Sequence, residues 1–284
     1  MARQMGTPRT LLAGLHLPEC PRWRGERLHF SDMYGQQAFA MSETGVVEAS
    51  WPVPGRPGGI GFAPNGDLLV NEMERARILR FDANGGMRVH ADLGALAPSI
   101  NDMISTPDGR CFVGRLTMAP PFEPAPLIAV DPEGRACLAT SEAIAVANGM
   151  VWRDDRTLIV AESMAGRLLA YDDNGEGGLA NRRVFAQLPA GLGPDGICGD
   201  DAGGIWVASP NAGVVYRVVE GGEITHRIDL EPGRFAYACA IGGRDRRTLF
   251  LCTGGPYEPE IATAETAGRI EAIVAPFPAT TSFP

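Results

Sequence analysis

The chain has 284 residues, 36 of them glycine and 23 proline, with 21% charged; this fits many short strands joined by tight turns better than a helical protein. A formal net charge of -9 with no basic run argues against nucleic acid or an anionic membrane surface as partner, because both need clustered Lys and Arg. The opening residues lack an apolar stretch of signal-peptide length and no later segment approaches a membrane span, so a soluble, cytoplasmic protein is expected.

Along the chain a turn followed by a β-rich stretch recurs: RGERLHFSD (24–32), PNGDLLVNE (64–72), PDGRCFVGR (107–115), RDDRTLIVAE (153–162), DAGGIWVAS (201–209) and RDRRTLFLCT (244–253). Taking Leu28, Leu68, Cys111, Leu158, Ile205 and Leu249 as equivalent, the repeats are about 40 to 47 residues apart, the spacing of propeller blades. Asn-Gly, Asp-Gly and Gly-Gly at these turns supply the positive φ angles of tight hairpins. Further strands follow in several units, with weaker outer strands at VVEASW, ACLATS, RRVFAQL and EITHRIDL. The expected fold is all-β, one six-bladed β-propeller domain over residues 1–284 with four-stranded antiparallel blades. TLLAGLHL (10–17) is the candidate strand to close the ring beside GRIEAIV (268–274), and the Pro-rich stretch 116–127 is read as a loop over one channel mouth.

Ten residues before the equivalent positions stand Gly58, Asn101, Asn148, Asp195 and Cys239; nine before the first, where the turn is one residue shorter, stands Glu19. This phase points at the axis, so Glu19, Asn101, Asn148 and Asp195 are expected to converge. Two carboxylates and two amides form an oxygen-rich cage with a charge of about -2, suited to a hard divalent cation such as Ca2+, Mg2+ or Mn2+ in the central channel. Turn formation is the alternative role for any one of these residues.

Other chemistries find less support. The six cysteines form no CxxC pair, which favours reduced structural thiols; the four histidines show no metal-site spacing, and there is no GxSxG elbow. Trp23, Trp152 and Trp206 lie in or beside expected strands and read as blade core.

Five segments in order, LPECPRW (17–23), RPGGIGFAPNGDLLV (56–70), INDMISTPDGRCFVGR (100–115), ANGMVWRDDRTLIVAES (147–163) and GPDGICGDDAGGIWVAS (193–209), resemble the SMP-30/gluconolactonase/luciferin-regenerating-enzyme (regucalcin-like) family. The resemblance implies one divalent metal, calcium or zinc among others, held by Glu19, Asn148 and Asp195, with Asn101 close to it and touching substrate. It further implies a lactonase or related ester hydrolase acting on a small molecule. Asp195 is the candidate general base as well as ligand. Many members carry an Arg where this chain has Ser99 and a Gly where it has Met103; with Met118, Phe122, Met33 and Tyr34 these changes point to a less polar pocket. Ser99, Met118, Phe122 and Met33 are accordingly expected to touch substrate. The other readings are a non-catalytic propeller that binds a ligand or partner around a structural metal, and an isomerase or lyase using the same metal site. A monomer or small homo-oligomer is expected.

Overall fold

The six repeated segments become the second strand of six sheets: Arg27–Asp32, Leu68–Glu72, Cys111–Arg115, Thr157–Glu162, Ile205–Ser209 and Thr248–Gly254. Leu68–Glu72, Thr157–Glu162 and Ile205–Ser209 are buried along their whole length, as continuous apolar runs require when both faces of a strand meet a neighbouring sheet. The computed structural model, which describes residues 2–117, 121–153 and 156–280, is a ring of six four-stranded antiparallel blades, a β-propeller with little helix.

Ring closure follows the sequence expectation. Arg9–Leu15 pairs antiparallel with Gly268–Val274 and so supplies the outer strand of the last blade. One feature has no sequence signal: Arg3–Gln4 adds a short parallel strand outside Ile224–Asp229 of the fifth blade, so the first residues of the chain tie two blades together.

The blade interfaces hold the aromatic residues. Trp152 stacks on Phe112 with ring centroids 6.0 Å apart, and Trp23 stacks on Phe250 at 5.3 Å. Trp206 is fully buried and donates its indole N–H to Asp200 at 3.0 Å. All three are core, because each pairs a large apolar surface with a partner in or across the blade.

The innermost strands position the site. Pro18–Arg24, Pro57–Phe62, Ile100–Ser105 and Ala147–Trp152 each lose register near their start. A bulge of this kind turns one residue toward the axis and presses the next against the neighbouring inner strand. At two of these second positions only hydrogen fits: a Cβ on Gly59 would lie 2.2 Å from the Met103 nitrogen, and one on Gly149 would lie 2.4 Å from that of Ile197. The helix Pro259–Ala264 and the 3-10 turns Met73–Arg75 and Pro210–Ala212 contribute residues to the mouth of the channel on this side.

Candidate metal centre and substrate cavity

Because the inner strands begin alike, one residue from each faces the hub. Glu19, Gly58, Asn101, Asn148 and Asp195 all line a single cavity of about 340 Å³. In the last blade the inward residue is Tyr237, not Cys239. Ile241 pairs with Leu249 there, whereas Phe62 pairs with Leu68 in the second blade; the turn is two residues longer and the phase moves back by the same amount. Cys239 is instead buried between strands, its sulfur 3.5 Å from that of Cys198.

The hub is strongly acidic. Burial pushes the Glu19 carboxyl well above the ordinary carboxylate range, and the charges of Asp195 and Asp102 push it further. Burial likewise raises Asp195, with Asp102 adding to the rise and a hydrogen bond from Asn148 opposing it. Tyr237 is raised by burial and then by the Asp195 and Glu19 charges, which sets all three side chains around one point. The backbone adds a further tie, the Gly149 N–H donating to the Asp195 carbonyl at 3.3 Å.

Asp102 is a third buried carboxylate that the sequence did not single out. It occupies the second bulge position, the place of Gly59 and Gly149 in the adjacent blades, and its Oδ1 accepts a hydrogen bond from the Cys20 thiol at 3.3 Å. Burial raises its pKa and the Arg22 charge opposes that rise. The backbone around the ligands is also unusual: Cys20 has φ 51° and Val146 φ 62°, both left-handed. Cys20 follows Glu19 directly and its N–H donates to the Glu19 Oε2 at 2.9 Å. Strain of this sort persists where the surroundings over-determine it, commonly beside functional groups.

Two buried polar side chains hold the hub backbone. The Ser31 hydroxyl donates to the Glu19 carbonyl at 3.2 Å, and the Asn71 amide donates to the Asn101 carbonyl at 2.6 Å. The Asn101 side-chain amide donates to the Ala147 carbonyl at 3.4 Å, and the residue lines the cavity.

Among the described residues no three His, Cys, Asp or Glu side chains are arranged to hold an ion; the hub offers two carboxylates and an amide oxygen instead. Their chemistry fits a hard cation: all donors are oxygen, Glu19 is buried and Asp195 partly so, and their proximity raises the cost of ionising them together.

A profile of the SMP-30/Gluconolactonase/LRE-like region matches residues 17–255, a span that includes every hub position from Glu19 to Tyr237. The chain belongs to this family. Regucalcin of Danio rerio is 32% identical over 157 residues, covering 53% of this chain and 52% of that protein, so the chain spans about half the length of this relative. Pentonolactonase XacC of Haloferax volcanii is 29% identical over 280 residues, 94% of this chain and 93% of its own. A solved structure described as a calcium-binding protein, regucalcin, from Agrobacterium tumefaciens shares the fold with a TM-score of 0.78 at 18% identity, covering 99% of this chain and 98% of that one.

Within this family frame the expected substrate residues divide. Met33, Tyr34 and Phe122 line the cavity, the last from the Pro-rich loop together with Leu116 and Thr117. Ser99 does not: it is buried and its hydroxyl donates to the Leu116 carbonyl. Met103 is also absent from the wall, being fully buried in the core between the second and third blades. Met118 lies outside the described residues.

Proposed function

We propose that the chain is a metal-dependent hydrolase of lactones. One observation supports the reading: Glu19, Asn148, Asp195 and Asn101 line one cavity whose volume falls within the roughly 300–1,000 Å³ of small-molecule sites. The relative that aligns along nearly the whole chain is named a pentonolactonase, and one structural neighbour is described as calcium-binding.

The residues that would hold the cation are Glu19, Asn148 and Asp195. Their oxygen-only set suits calcium, magnesium or manganese better than zinc, which favours nitrogen and sulfur. When bound, a divalent cation supplies a Lewis acid that polarises the lactone carbonyl and stabilises negative charge on its oxygen. Asp195 accepts the proton of the attacking water as general base. Asn101, held through its backbone by Asn71, presents its amide oxygen to the bound ring. In the overall step the water oxygen bonds to the acyl carbon, the ring C–O bond breaks, and the departing alkoxide takes up the proton.

The reading is tested by a pH-drop assay over sugar, alkyl and aromatic lactones with and without chelator. Acid release that chelator abolishes and added cation restores supports it. Silence across the panel, or release indifferent to chelator, contradicts it.

A further inference from the structure

Above the hub the cavity wall changes character. Met33, Tyr34, Leu116, Phe122, Met164 and Tyr257 face the space through which a substrate enters. Met164 is 64% exposed and Tyr257 57% exposed, so large apolar surfaces are presented to solvent at the mouth itself. Apolar surface kept exposed and gathered beside a cavity marks a place where something apolar is bound.

Most hydroxyls of the same wall have their hydrogens spent within the protein. The Ser163 hydroxyl donates to the Pro194 carbonyl at 2.7 Å, Tyr34 donates to the Tyr257 carbonyl at 3.1 Å, and Thr117 to the Pro121 carbonyl at 3.4 Å. Tyr237 donates to the Gly255 carbonyl. Arg56 is ion-paired with Glu74 at 2.9 Å, and its guanidinium lies over the Tyr34 ring at 4.8 Å. A polyhydroxylated ring entering this space would lose water from its hydroxyls against carbon and find few free partners in exchange, which is costly for each hydroxyl. Of the amides that remain, Asn101 and Asn148 belong to the hub and Asn211 sits at the mouth.

We infer that the substrate is a lactone bearing an alkyl or aryl substituent, its ring carbonyl seated at the hub and its apolar arm lying against Phe122, Met164 and Tyr257. The inference rests on the hydrolase reading above and narrows it: sugar lactones, whose hydroxyls need donors and acceptors around the whole ring, are poor substrates.

The test compares kcat/KM for γ-butyrolactone, γ-nonalactone and D-glucono-1,5-lactone with the full chain in the presence of calcium or magnesium. Burial of part of the pentyl arm predicts at least about a tenfold preference for γ-nonalactone over γ-butyrolactone, a lower value for the sugar lactone, and a narrowed preference in Met164→Gln, a change at an exposed position. Faster turnover of the sugar lactone, or equal rates for the two γ-lactones, overturns the inference and leaves the hydrolase reading standing. If none of the three is hydrolysed, the hydrolase reading fails, and calorimetry with non-hydrolysable lactams decides the inference separately. Tighter binding of 5-pentyl-2-pyrrolidinone than of 2-pyrrolidinone, by about tenfold, supports an apolar arm site; equal binding or none overturns it.

Discussion

The thiol of Cys20 lies 3.3 Å from Oδ1 of Asp102, joining the left-handed residue after Glu19 to a carboxylate in a different blade. Through this contact the third acid of the hub is held behind the proposed ligands, where its charge raises the proton affinity of both Glu19 and Asp195. Asp102→Asn keeps the shape and removes the charge. The expected result is a folded protein that binds calcium about 10–100-fold more weakly, the usual cost of altering a residue that supports metal ligands. Calorimetric titration of both proteins checks it.

Asp195→Asn separates the proposed base from the scaffold. The amide retains the size of the carboxylate and can still meet Asn148, so the melting temperature should change little while kcat falls by at least about 10²-fold. Circular dichroism and a lactone assay on the same sample distinguish this from unfolding.

Val146 is β-branched and held at φ 62°, immediately before the strand that carries Asn148. That conformation is costly for any residue with a branched Cβ and free for glycine. Val146→Gly should therefore gain about 1 kcal/mol in unfolding free energy after the greater entropy of the unfolded glycine is offset. Denaturant unfolding measures the change, and a loss of stability would show that the backbone is not strained there.

His29 gives the fold a defined acid sensitivity. Its ring lies edge-on to Phe62 at 4.9 Å and stacks over Trp51 at 6.3 Å, and burial, aided by the Arg27 charge, lowers its pKa from 6.5 to about 4. The unfolded chain therefore binds a proton more readily than the folded one between these values. Stability from this residue is complete above pH 6.5, declines as pH falls, and levels off below about 4, a loss on the order of 3 kcal/mol. His29→Phe should flatten that part of the curve, which a series of urea melts from pH 7 to pH 4 would reveal.

How far the site could be read from the chain depended on turn length. Glu19, Asn101, Asn148 and Asp195 were recoverable because the first five hairpins vary by at most one residue, so a fixed count back from the apolar strand reaches the hub. The last hairpin is longer, and the same count reached Cys239 instead of Tyr237. Asp102 escaped because it sits one residue out of phase, at the bulge position where other blades place glycine; only packing reveals that this residue too is near the hub. Ser99 was expected at the substrate and Met103 to make the pocket less polar, but both face elsewhere, since the residue just before the strand is drawn to the Leu116 carbonyl and the residue just after the bulge turns into the core. The outer strands were legible from their β-rich composition and the ring closure from the apolar Thr10 to Leu17 segment. A two-residue parallel strand such as Arg3–Gln4 has no pattern long enough to announce itself.

The most direct measurement is a calcium titration of the metal-stripped protein beside Glu19→Gln and Asp195→Asn. The wild type should bind one equivalent, with protons released as Glu19 and Asp195 ionise, and either variant should lose that binding. A wild type that takes up no divalent cation, or variants that bind it as tightly, would contradict it.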